Sequence, residues 1–316
     1  LAHCLAGLDL LNRPVLQRPV SAPPSQQKIE RIQRLTGIAL MCGAVTCFGF
    51  MDAIAKYLVL QMSTVEVVWA RYTGAFLFPF VLLNPWTRPQ LMVTRRLGLQ
   101  IGRSVLVLLS TVLNFLALRY LQLAEALALI FSTPCFVAAL SGPLLGERVR
   151  WRRWTAIGVG FLGVLVVTRP GPGTFQPAAL LSLVAAFFYA LFSVATRFLA
   201  RTDSNETTLF YSNIVGALAM LPVLPFVWAT PTDPLMIALL VSMGAIASFG
   251  HYLLIAAHRL APAAVLSPFI YTEIVLVTFL GFVVFGEVPS GWTITGAAIV
   301  IASGLYILHR ERRVRG

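Results

Sequence analysis

The stretch Leu144-Leu145-Gly146-Glu147, followed by Trp154 and Gly158, returns later in the chain as Val284-Phe285-Gly286-Glu287, followed by Trp292 and Gly296. The two Gly-Glu pairs stand 140 residues apart, and the step from Glu to Trp is two residues shorter in the second copy. Two more pairs keep the same offset to within one residue. Lys56-Tyr57-Leu58 matches Arg197-Phe198-Leu199 at 141, and Glu66 matches Glu206 at 140. Three agreeing pairs mark an internal duplication. Working outward from them, ten apolar segments can be drawn, at roughly 35–57, 64–84, 98–119, 123–145, 152–168, 177–199, 206–228, 235–257, 261–285 and 290–308. Each copy therefore holds five. An odd number of crossings makes the second copy enter the membrane from the opposite face. This is inverted-topology duplication, a plan of secondary transporters that places the solute site near the midplane between the halves.

The composition agrees with membrane residence. Hydrophobic residues make up 58% of the 316 and charged residues 11%, against about 25% charged in a soluble domain. Mean hydropathy is +0.82. Val105–Leu118 and Ile294–Leu308 carry no charge at all, and blocks of about 20 apolar residues match the thickness of a hydrocarbon core. The net charge of +12 does not point to nucleic acid, because the basic residues lie in short links and at the ends. With the N-terminus placed inside, 19 Lys and Arg fall on the cytoplasmic side and four (Lys56, Arg71, Arg119, Arg169) outside, with Arg103 at a cytoplasmic helix end. That bias orients the bundle with both termini cytoplasmic in the inner membrane, and Gly171-Pro172-Gly173 facing the periplasm.

The expected organisation is a disordered cytoplasmic leader over 1–34, a first repeat over 35–170, a second over 176–309, and a basic cytoplasmic tail over 310–316. The leader holds Pro14, Pro19, Pro23 and Pro24 without periodicity, and Leu1–Leu11 lacks the basic region of a signal peptide. Cys4, Cys42, Cys47 and Cys135 have no metal or CxxC spacing and predict no disulfide framework. No metal or cofactor is expected.

The order of motifs carries a resemblance. Phe50-Met51-Asp52 precedes Lys56, and Glu66 and Arg71 follow. Thr133-Pro134 lies in the fourth segment, which ends in Leu-Leu-Gly-Glu-Arg at 144–148, and Arg169-Pro170-Gly171 follows the fifth. Pro268-Phe269-Ile270-Tyr271 leads to Phe285-Gly286-Glu287-Val288-Pro289. Over about residues 35–309 this resembles the EamA branch of the drug/metabolite transporter superfamily. Asp52 with Lys56 and the Phe-Gly-Glu-x-Pro ending look most like the subgroup with S-adenosylmethionine and riboflavin importers. The resemblance implies an all-α polytopic membrane protein of ten transmembrane helices in two inverted five-helix EamA repeats, a central cavity and alternating access. Its members move amino acids, nucleotide-like compounds, vitamins and drugs, inward or outward. One departure stands out. Pro134 lies 13 residues before Glu147, but the matching position before Glu287 is Ile274, and the proline of that segment is Pro268.

Candidate site residues are the polar groups deep in apolar segments, since an ionisable side chain at mid-membrane costs about 2.5–3.5 kcal/mol without a partner, a watery cavity or a neutral form. Glu273, beside Tyr271 and Thr272, reads as a solute or proton-coupling group, or as a protonated carboxyl bonding two helices. Asp52 and Lys56 share a helix face and read as a structural ion pair near the outer end, or as a cavity-wall pair that opens during the cycle. Glu66 and Arg71 read as structural or gating groups. Asn114 contacts solute or joins two helices. His251 reads as a packing histidine before it reads as a proton relay. Glu147 and Glu287 read as structural, with Gly146 and Gly286 ending helices and the carboxylates near the N-terminus of the following helix. Gly158, Gly160 and Gly163 read as close-packing positions.

These readings favour a secondary transporter for a small organic metabolite, amino-acid-, nucleoside- or vitamin-like. An exporter of drugs or toxic metabolites on the same fold stands second. A membrane-embedded enzyme ranks lower, as no nucleophile elbow, HExxH or phosphate loop is present. The expected partners are the solute, the lipid bilayer and a proton or other coupling ion, in a monomer or homodimer.

Overall fold

The computed structural model describes residues 24–83, 93–145, 151–169, 176–199 and 202–315. Thirteen helical segments carry them. They are α1 (Pro24–Val59), α2 (Thr64–Leu83), α3 (Leu97–Leu118), α4 (Leu123–Ile130), α5 (Thr133–Leu145), α6 (Trp151–Thr168), α7 (Ala178–Leu199), α8 (Asn205–Met220), α9 (Leu224–Val227), α10 (Pro234–Leu260), α11 (Ala263–Ile270), α12 (Glu273–Phe285) and α13 (Gly291–Arg315). α4 with α5 and α11 with α12 are each one broken span, and α9 is one turn continuing α8, which leaves ten spans. Six stretches, among them Leu97–Leu118, Ala178–Leu199 and Pro234–Leu260, are long and apolar enough to cross a membrane by themselves. In a bilayer, helices are the natural solution because each backbone group finds its partner within the segment.

Helix begins earlier than the expected 1–34 leader allows. α1 starts at Pro24, where Gln26, Gln27, Lys28, Glu30 and Arg31 are all good helix formers. Residues 1–23 lie outside the described residues, as do Gly146, Glu147 and the Gly171-Pro172-Gly173 link.

The packing is invariant when the halves are exchanged. α1 lies along α10 and α7 along α3, α2 along α8, and α6 along α13. Close approach is set by small residues. A Cβ on Gly163 would meet Ile299, Val300 and the Gly296 carbonyl at 2.9–3.0 Å, and one on Gly74 would meet the Gly244 backbone at 2.8 Å. Gly160 is similarly enclosed by Cys135 and Ser303, but Gly158 faces open space, so it is not one of the packing positions expected of it.

Both broken spans break at the same place. α4 ends before Phe131-Ser132 and α11 before Tyr271-Thr272, positions related by the offset of 140. In each, the residue at the break gives both its N–H and its hydroxyl to the carbonyl three residues before it. Ser132 donates to Leu129 at 2.6 Å and Thr272 to Phe269 at 2.6 Å. Pro134 lies after the first break and Pro268 before the second, so the unequal prolines leave the break equally deep in the two halves. Each proline lacks an N–H for the helix ladder, and the hydroxyls fix where the chain turns.

Candidate functional site

Four spans bring polar side chains to the middle of the bundle. Glu273 is the first residue of α12, directly after the break, and is 7% exposed. Among the described residues its carboxylate has neither a hydrogen-bond donor nor a cation at ion-pair distance. Its electrostatic neighbour is Asp52 of α1, and Asp52 is also within reach of Arg71 of α2. The Arg71 guanidinium lies 4.8 Å from the Tyr72 ring centroid and 5.9 Å from that of Phe115, with Nε 3.4 Å from the Met51 sulfur. Such ring contacts stabilise a desolvated cation by about 0.5–2 kcal/mol. No carboxylate lies within ion-pair distance of Arg71 among the described residues. Asp52 and Arg71 are half-buried, so these two keep surface that their neighbours do not cover.

Tyr189 of α7 completes the group and was not among the expected residues. It is 43% exposed at the middle of its helix, yet Arg71, Glu273, Tyr72 and Arg103 all lie within electrostatic reach of it. It therefore shows open surface among the charged groups at the middle of the bundle. In the sequence it follows Phe187-Phe188 and passes for part of an apolar run. The duplication held a usable signal. At the offset of 141 that relates α1 to α7, Tyr189 matches Phe48 and Asp52 matches Ser193, whereas Lys56 matches Arg197. At 140, Arg71 matches Tyr211 and Glu273 matches Thr133. Charges kept in both copies, such as Lys56 with Arg197 and Glu66 with Glu206, sit at the span ends, while Asp52, Arg71 and Glu273 have no charged counterpart.

The end of the bundle that holds the last turn of α1 is tied shut. Lys56, 4% exposed, pairs with Glu287 and donates to the Leu121 carbonyl. The other Glu287 oxygen accepts from the Leu123 N–H at 2.9 Å, at the start of α4. Two expectations change here. Lys56 pairs with Glu287 and not with Asp52, because Lys56 sits at the helix end and reaches past it, while Asp52 is a turn deeper and borders the cavity. Glu287 also caps α4 of the other half and not the helix that follows it. Gly286, with φ +67°, turns the chain back at the end of α12, and the Glu287 N–H closes on the Gly281 carbonyl at 3.0 Å. The carboxylate thus points at α4.

The remaining candidates divide. Asn114 is half-buried on α3, with its side-chain oxygen buried and unpartnered. His251 Nδ1 is 2.8 Å from the Ala247 carbonyl and its ring stands edge-on to Phe48 at 5.1 Å, within reach of Arg71. That is the geometry of a packed histidine. Tyr271 is 8% exposed and turned away from the cavity, its hydroxyl against Gly304 of α13. Glu66 accepts from the N–H groups of Ser63 at 3.1 Å and of Ala229, so it ties the start of α2 to the link after α9. Arg103, expected at a helix boundary, is 2% exposed. It donates to Thr196, Thr208 and Ser212 and stacks on Phe192 at 4.8 Å. Its side of α3 faces α7 and α8, and neutral oxygens there replace water.

A duplicated bundle of apolar helices with charged side chains at its middle, joined between its halves by the Lys56–Glu287 ion pair, is the build of a membrane transporter. The chain belongs to the EamA-like transporter family, whose model matches residues 35–169 and 176–308. It is 28% identical over 281 residues to the S-adenosylmethionine uptake transporter of Rickettsia prowazekii, covering 88% of this chain and 94% of that one. It is 28% identical over 283 residues to the riboflavin transporter of Vibrio cholerae, covering 88% and 95%. A protein of known crystal structure shares the fold with a TM-score of 0.61 at 18% identity, over 89% of this chain and 99% of that one. The chain is a multi-pass membrane transporter for small metabolites.

Proposed function

We propose that this protein takes up an S-adenosylmethionine- or vitamin-like metabolite across the bacterial inner membrane by alternating access, with both termini cytoplasmic. The solute sits among Asp52, Arg71, Tyr189 and Glu273, and the two repeats rock about it. The observation that carries this reading is the difference between the two ends. Lys56 is sealed against Glu287, Leu121 and Leu123 above the cluster, whereas its counterpart Arg197 is exposed at the opposite end. Such an arrangement suits a state closed to the periplasm and open to the cytoplasm. Movement is driven by the solute gradient or by a coupled proton or other ion. Uptake into liposomes containing the purified chain, with a panel of radiolabelled metabolites, tests the proposal. Accumulation above protein-free vesicles is expected for at least one member. No accumulation of any member by folded protein overturns it.

A further inference from the structure

We infer that the cavity selects a solute with one net positive charge, holding its fixed cation at Glu273 and its carboxylate at Arg71. This inference rests on the cavity being the transport site.

It follows from the balance of charges that face one another. Lys56 and Glu287 satisfy each other at the end of the bundle, where Glu125 and Arg169 stand beside them as a second opposite pair. Arg103 of α3 is engaged by neutral acceptors on α7 and α8, and its electrostatic neighbours are Tyr72 and Tyr189, so it offsets neither cavity carboxylate. His251 of α10 is bound to its own backbone and lies beside Arg71. What remains is Asp52 of α1, Arg71 of α2 and Glu273 of α12. Arg71 offsets Asp52 in part, and the one charged neighbour of Glu273 is the like charge of Asp52. With both carboxylates ionised, the site lacks one positive charge, and the lack is centred on a side chain 7% exposed. In a region of low dielectric a carboxylate does not stay uncompensated: it is neutralised by a proton or by a cation held against it, and a solute cation bound there displaces the proton. Arg71 in turn has no carboxylate at ion-pair distance among the described residues, and a guanidinium fork suits a carboxylate in bidentate fashion. The exposed ring of Tyr189 offers a face for a planar base or a soft cation. An amino-acid-like solute with an ammonium, a carboxylate and a second permanent cation meets all three. A neutral tricyclic vitamin meets only the aromatic wall.

The test uses the full chain in proteoliposomes and three probes, each measured for uptake and for thermal stabilisation of the detergent-solubilised protein. S-adenosylmethionine carries one net positive charge. Its demethylated thioether analogue differs by one methyl group and the sulfonium charge, and riboflavin is uncharged. S-adenosylmethionine is expected to act at concentrations at least about tenfold lower than the thioether, the scale of one desolvated charge contact. Glu273→Gln should bring the ratio between the two analogues close to one while membrane level persists. Equal action of the two analogues on the wild type, preference for riboflavin, or a ratio unchanged in Glu273→Gln overturns the inference and leaves the transporter reading standing. Accumulation of a neutral or anionic member of the metabolite panel in place of all three does the same. Accumulation of nothing overturns both.

Discussion

Phe131 and Tyr271, equivalent positions of the two repeats, meet edge-on with ring centroids 5.0 Å apart. Each lies at the break of its own span, so the pseudo-two-fold axis that exchanges the halves passes by this contact. Sequence copies that touch at equivalent residues lie close to the axis of their own duplication.

The Tyr271 hydroxyl fills the space that a side chain on Gly304 would need. Gly304→Ala is therefore expected to lower stability by about 1–3 kcal/mol, the usual range for overpacking a tight interior. Tyr271→Phe removes the colliding oxygen and should restore most of the loss in the double variant. Unfolding midpoints of the two single variants and the double variant in detergent check this. Simple additivity would show that the collision is not with the hydroxyl.

The duplication made the scaffold legible. Gly286, Glu66 and the five-span repeat follow from spacing alone, and the composition excludes a soluble core. The site was half-legible. Glu273, Asp52 and Arg71 stood out as charges in apolar runs, but Lys56–Glu287 joins residues 231 apart in the chain, and no periodicity relates an α1 residue to the end of α12. Tyr189 was hidden because tyrosine among phenylalanines reads as packing. Arg103 was misplaced because a basic residue in the second turn of a helix looks like a surface anchor, and only the packing of α7 and α8 buries it.

Glu66 and Glu206 are sequence equivalents with unequal surroundings. Glu66 is 1% exposed and holds two backbone N–H groups. Glu206 faces Arg259 at 3.7 Å with both side chains more than half exposed. Glu66→Ala should cost about 1–3 kcal/mol by leaving buried donors unpaired, and Glu206→Ala at most about 1 kcal/mol. Equal losses in thermal unfolding would show that the equivalence extends to energetics.

Orientation is tested at described, exposed positions. With the other cysteines replaced, Gln61→Cys beside the end of α1 should react with an impermeant thiol reagent added outside intact cells. Arg197→Cys should react only after permeabilisation. The reverse pattern inverts the topology and makes the closed end cytoplasmic.

The last prediction concerns the latch. Removing one member of a buried ion pair leaves the other charge without compensation and costs about 3–5 kcal/mol. Lys56→Met strands Glu287, whose remaining partner is the Leu123 N–H. Glu287→Gln strands an ammonium that keeps the Leu121 carbonyl. Each single variant should unfold earlier than the wild type. The Lys56→Met/Glu287→Gln double variant should lose less than the sum, because no charge is then buried alone. Stability alone does not separate a latch from a fixed strut, so a second reading is needed. Asn114→Cys lies on α3 near the cluster, below the closed end. If the ion pair holds that end shut, either single variant should speed labelling of Asn114→Cys from outside, and saturating solute should change the rate. A strut would lower the unfolding midpoint and leave the labelling rate alone. An unchanged rate in both variants therefore removes Lys56 and Glu287 from the transport cycle and returns them to the scaffold.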